Sequence, residues 1–160
     1  MTFATLTLLY GQLNGTATGD ALIEWTTVRP AAMALGWLPI DTIVEPAGTQ
    51  LKSARISLNV RHGCDGADVF FLVIAALVAE ALHWTRRAIG VLVGLAIVLG
   101  LNVARVVVLF VAFEYTPAWF GPLHGLILPL AVVGATAGWF LWFVRGNSAD
   151  VHLTARPLGA

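Results

Sequence analysis

Three side chains in this sequence have the types and the setting for covalent chemistry: Cys64, Arg105 and His124. Cys64 stands in Arg61-His62-Gly63-Cys64-Asp65-Gly66, just ahead of an apolar stretch. Arg105 stands in Leu101-Asn102-Val103-Ala104-Arg105-Val106, near the end of a second, and His124 in Pro122-Leu123-His124-Gly125, at the start of a third. Together they are the parts of a thiol acyl-transfer site. The thiolate is the nucleophilic form of cysteine and is favoured at a helix N-terminus or beside a cation. An imidazole can take and return the proton. A guanidinium stays charged and donates in a fixed fork, so it can hold a peptide carbonyl or stabilise a tetrahedral oxyanion. Gly63 and Gly66 would let a substrate backbone approach and expose amide N–H groups to that oxyanion. With Asp65 and with Asn102, which extends a polar stripe one turn before Arg105, they form the expected substrate-binding set.

These residues belong to a chain that a bilayer must surround. It is 58% hydrophobic and 11% charged, with a mean hydropathy of +0.83, which a soluble domain does not sustain. Nine basic residues balance nine acidic ones, so net charge points to no nucleic acid and no acidic partner. The single cysteine excludes an intramolecular disulfide framework and a cysteine-rich metal site. His62, Cys64, Asp65 and a second histidine are types that ligate zinc, but no spaced pair of cysteines accompanies them, and neither a metal nor an organic cofactor is expected.

A hydrocarbon core of about 30 Å needs about 20 apolar residues per helix. Three stretches, 68–83, 88–113 and 123–144, are read as membrane helices. His83-Trp84-Thr85-Arg86-Arg87 joins the first two, and Trp142-Phe143-Val144-Arg145 ends the third; both are positive-inside signals that assign those ends to the cytoplasm. Cys64, the loop 114–121 and His124 then lie outside. At ~1.5 Å per residue Arg105 lies roughly 27 Å from the cytoplasmic turn, at the outer rim. The three candidate residues thus fall on one side of the membrane, although the topology was drawn from other residues.

The remainder would frame that rim. Residues 1–10 are apolar, too short to span, without a basic flank or cleavage pattern, and are read as the outer end of a helix that begins before this chain. Residues 21–38, broken by Pro30, suggest two short amphipathic helices on the outer surface. Alternation between 40 and 60 suggests a small β-hairpin feeding into Cys64. The expected organisation is a partial membrane helix and surface helices (1–39), an extracytoplasmic β-hairpin (40–63), a three-helix catalytic core (64–145) and a polar, disordered cytoplasmic tail (146–160). The fold class is therefore an all-α integral membrane protein: a helical bundle with a small outer hairpin and amphipathic surface helices. Gly134, Ala137 and Gly138 would suit helix packing, and Trp119 and Phe120 an aromatic belt or a substrate groove.

Gly-Cys-Asp-Gly before a helix, Asn102-Val-Ala-Arg105 at the end of the next and a histidine opening the third resemble the exosortase/archaeosortase family of membrane cysteine transpeptidases, closest to the small bacterial exosortase H type. The resemblance covers roughly residues 40–145. It implies an enzyme at the outer face of the cytoplasmic membrane, embedded in membrane lipid, acting on secreted proteins that carry a C-terminal sorting signal: a short motif, a hydrophobic transmembrane stretch and a basic end. Cys64 would match the family nucleophile and Arg105 and His124 its partners, with a thioester acyl-enzyme passed to an acceptor. His62 and Asp65 stand where such proteins often carry asparagine, and the extra helices of larger members are lacking. The competing reading is a scaffold or subunit of a membrane complex without chemistry. A transporter is disfavoured, since the sequence shows no inverted repeat and no helix broken in mid-membrane.

Overall fold

The computed structural model describes residues 2–13, 15–61, 64, 66–80 and 82–154, the side chains only as far as residue 146. In chain order the elements are α1 (Thr2–Gly11), α2 (Ala17–Ile23), a π-helical turn π1 (Glu24–Val28), α3 (Arg29–Gly36), β1 (Glu45–Ala47), β2 (Gln50–Lys52), β3 (Ser57–Asn59), α4 (Ala67–Ala79), α5 (Trp84–Tyr115), α6 (Pro117–Pro122), a second π turn π2 (Leu123–Ile127) and α7 (Leu128–Thr154).

The central element is α5, 32 residues long, or about 48 Å at 1.5 Å per residue. Among the described residues, α5 and the continuous helix running through α6, π2 and α7 are the two long and apolar enough to cross a membrane. They run antiparallel: Phe143 lies against Gly90 and Trp139 against Gly94. Trp84 and Trp142 are therefore exposed at one end of the pair, and Tyr115 and Trp119 at the other. Aromatic residues at both ends are the mark of a helix pair anchored at two interfaces.

The first expected span is shorter than read. α4 has 13 residues, about 20 Å, because Glu80 (φ −79, ψ 146) and His83 (φ −61, ψ 144) adopt extended backbone before α5 begins. Two helices rather than three thus have spanning length. Val73 and Leu77 of α4 nonetheless pack against Gly94 and Gly90, while α1 covers another face of α4, with Tyr10 edge-on to Phe71 at 5.5 Å. The close approaches fall on these α5 glycines and not on α7, where nothing lies within 4 Å of a Cβ built at Gly134 or Gly138.

The outer segments differ more. The expected pair of surface helices is one continuous helical stretch from Ala17 to Gly36. Proline lacks an N–H and crowds the preceding turn; here Pro30 sits in the first turn of α3, directly after the wider turn of π1, which relieves the clash. Its inner stripe, Ile23, Val28, Ala31 and Leu35, is fully buried with Val106 and Phe110 of α5. The stretch is amphipathic, with Trp25 and Met33 exposed, but it is docked on the bundle and not simply laid on a surface.

The expected hairpin is a three-stranded antiparallel sheet in the order β1-β2-β3. Gly48, at φ 61, turns β1 into β2. Leu51, buried in the central strand and opposite both Pro46 and Leu58, ties the sheet to the core. Ser53 Oγ accepts from the N–H groups of Arg55 and Ile56 and closes the β2–β3 connection. At the other end of the chain α7 continues to Thr154, beyond residue 146 where a disordered tail was expected.

Gly94→Val would force Cβ to 2.9 Å from Val73 Cγ1 and 3.1 Å from the Trp139 ring. It is expected to lower stability by about 1–3 kcal/mol, read as a lower melting temperature in detergent. Gly134→Ala should leave melting unchanged; equal behaviour of the two would contradict this packing.

Candidate functional site

Cys64 is delivered by the sheet. Val60 N–H donates to Thr49 O at 2.9 Å, extending the strand pairing, and Cys64 N–H donates to Arg61 O at 2.9 Å, which turns the chain towards α4. Gly66, left-handed at φ 82, then caps α4. The Cys64 side chain is half-buried and packs against the core that contains Val60, Val106 and Phe110. Arg105 precedes Val106 on the C-terminal third of α5. His124 lies in π2, two residues after Pro122. The helix bearing it starts at Pro117 and not at Leu123, so His124 stands about two turns inside a helix and not at its opening. Pro122 and the π turn occur together here as Pro30 and π1 do, and Leu128 N–H reaches back to Leu123 O.

The three residues line one cleft of about 180 Å³, with Asn59, Arg61 and Phe120 beside them and Val106 and Leu109 as its apolar floor. The Phe120 ring is stacked on the His124 imidazole at 5.4 Å and 4°, and Phe113 packs on Phe120 in turn at 5.0 Å. Stacking thus sets the plane of the imidazole. Arg105 Nε and His124 Nδ1 are both buried and meet no hydrogen-bond partner among the described residues. Buried polar groups are nearly always paired, so these two nitrogens leave unmet hydrogen-bonding capacity, among the described residues, in the wall of the cleft. A thiol, an imidazole and a guanidinium thus stand at the same opening.

The expected substrate-binding set divides. Asn102 does not line the cleft. It is buried below Arg105, where its Nδ2 donates to Thr27 Oγ1 at 3.4 Å. A Cβ at Gly66 would meet Asn102 Cβ and Cγ and Val98 Cγ1 at 3.3 Å. Gly66 and Asn102 therefore support the turn that follows Cys64 from behind. Gly63, Asp65 and the neighbouring His62 lie outside the described residues.

Asn59 and Arg61 were passed over in the sequence although the signal was there. Neighbours two apart on an extended strand point the same way, so with Val60 buried, 59 and 61 both face outward. Arg61 adds a second cation to the cleft. Thr42 Oγ1 donates to Glu114 Oε1 at 2.6 Å and ties the loop after α3 to the C-terminal end of α5.

The model of the transmembrane exosortase family (Exosortase_EpsH) matches residues 2–127, more than three quarters of the chain, a range within which Cys64, Arg105 and His124 fall. The chain belongs to the transmembrane exosortase family. This agrees with the resemblance carried by the Cys, Arg and His motifs, and extends it forward over α1 to α3. Membership supports a membrane protein with a transpeptidase-like role. Neither a search of curated proteins nor one of solved structures returns a match.

Gly66→Ala would place a side chain on a left-handed residue, at roughly 1–2 kcal/mol, and press it on Asn102. The expected outcome is a lower melting temperature together with altered labelling of Cys64 by a thiol reagent. Unchanged melting and labelling would show that this cap does not hold the cysteine turn.

Proposed function

We propose that this exosortase is a cysteine transpeptidase that cleaves C-terminal sorting signals of secreted proteins at the outer face of the cytoplasmic membrane. The observation that carries the reading is the convergence of Cys64, Arg105 and His124 on one cleft at the end of α5 opposite Arg86 and Arg87. Arg86, Arg87 and Arg145 assign their end to the cytoplasm by the positive-inside rule. The cleft then opens to the exterior, where secreted substrates arrive.

In this mechanism His124 takes the Cys64 proton and the sulfur attacks the scissile carbonyl carbon. The carbonyl electrons move to oxygen, and the oxyanion is met by the Arg105 guanidinium. The tetrahedral species collapses, the C–N bond breaks, and the leaving amine takes its proton from His124. A thioester remains on Cys64. An acceptor nucleophile then attacks the thioester and gives its proton to His124, and the thiol is restored. Water as acceptor makes the reaction proteolysis; an acceptor on a second molecule makes it transpeptidation. The residues need no metal or organic cofactor for these steps, and the partners are tail-bearing secreted proteins in a lipid environment.

The test is mass spectrometry of secreted proteins from the native host carrying each variant. Cys64→Ser should leave C-terminal tails uncleaved. His124→Ala should slow cleavage by about 10²–10⁴-fold, and Arg105→Ala by about 10²–10³-fold, with Arg105→Lys in between. Normal processing in Cys64→Ser would remove the enzymatic reading and leave a membrane scaffold.

A further inference from the structure

A histidine that serves as a base is ordinarily oriented by a third group bonded to its other ring nitrogen. Among the described residues the cleft has no aspartate or glutamate in its lining, and the buried His124 Nδ1 meets no hydrogen-bond partner. Glu114, the acidic residue nearest to it in the sequence, is engaged by Thr42 through Oε1. The χ2 torsion of histidine is broad and roughly two-fold, so with no such bond the plane of this imidazole has to be fixed by packing.

Phe120 supplies that packing. It precedes His124 by four residues, the spacing of neighbours on one helix face, and its ring lies 5.4 Å from the imidazole with the planes 4° apart. Phe113, on α5, lies against Phe120 at 5.0 Å and 46°, so the stacked ring is clamped between its own helix and another. Phe120 lines the cleft with Cys64 and His124, whereas Phe113 is not in the lining and acts from behind. The neighbouring aromatics divide accordingly: Trp119 is 60% exposed, while Phe120 is half-buried. The row Phe113, Phe120, His124 thus ties the imidazole to the helix that carries Arg105. Stacking occupies a face of the imidazole and leaves its two nitrogens, which point outward in the ring plane, free to exchange protons.

We propose that Phe120 is a positioning residue: its ring, backed by Phe113, holds the His124 imidazole in the plane from which it takes and returns the Cys64 proton. The inference rests on the transpeptidase reading and assigns within it the group that orients the base. A flat aromatic face is the working feature, so another aromatic ring at position 120 serves and an aliphatic side chain does not. Phe120 acts through His124, so its contribution disappears where the imidazole is absent.

The experiment uses the full chain in membranes of its host, with iodoacetamide as probe and the rate of Cys64 alkylation at one fixed pH as readout. Cys64 is the chain's single cysteine, and no substrate is needed. His124→Ala, which removes the base, should slow alkylation about tenfold or more. Phe120→Leu should slow it about threefold or more with the imidazole still present, Phe113→Leu should do so less, and Phe120→Trp should restore the parental rate. In the His124→Ala background Phe120→Leu should have no further effect. A parental rate in Phe120→Leu, no restoration by Phe120→Trp, or an equal slowing by Phe120→Leu with and without His124 would overturn the positioning proposal alone. A parental rate in His124→Ala would remove the base from the transpeptidase reading, and the proposal with it.

Discussion

Gly90 and Gly94, one turn apart on α5, let two other helices come within side-chain contact of its backbone. A methyl at Gly90 would stand 2.9 Å from the Phe143 ring and 3.1 Å from Leu77; one at Gly94 would stand 2.9 Å from Val73. In lipid no hydrophobic force drives apolar helices together, and association depends on close packing at small residues. The Gly-x-x-x-Gly spacing supplies it on both sides at once, α4 on one and α7 on the other. With their inner ends seated on α5, the outer ends that carry Cys64 and His124 are held to either side of Arg105.

The hydrocarbon dictates where the polar groups of that site can lie. A guanidinium in mid-bilayer is costly, and helix-end charges reach the interface. Arg105 stands on the C-terminal third of a helix longer than the bilayer core, with α3 and the sheet packed round that end. Val106 and Phe110 bind that cap to α5 through Ile23, Val28, Leu35, Leu51 and Val60. The cap has a chemical consequence: it hands Cys64 to the cleft from the last strand, while Thr27 and Asn102 form a buried polar contact behind the cysteine turn.

The features most legible in the sequence were those with long-range or compositional signatures. Hydropathy, the two arginine-bearing ends and the motifs around Cys64, Arg105 and His124 led to three membrane helices with the three residues on one side; two of those helices have spanning length, and the three residues line one cleft. What escaped was set by local backbone chemistry or by tertiary contact. Pro30 reads as a break because proline interrupts an α-helix, yet the π turn beside it lets the helix run on. The central strand around Leu51 is three residues long, too short for alternation to reveal. Asn102 read as a substrate contact because it lies one turn from Arg105, but its partner, Thr27, is 75 positions away in the chain and turns it inward. Gly90 and Gly94 had the spacing for close packing, while Gly134, Ala137 and Gly138 drew the eye instead.

The central claim is that Cys64 carries the acyl group of a cleaved substrate. The most direct measurement is intact mass spectrometry of the enzyme recovered from its host membranes after rapid acid quenching, with hydroxylamine release as the thioester assay. The account predicts a hydroxylamine-labile peptidyl adduct on Cys64, absent in Cys64→Ser and depleted in His124→Ala. An enzyme that processes its substrates with Cys64 unmodified, or with an adduct that persists in Cys64→Ser, would contradict it.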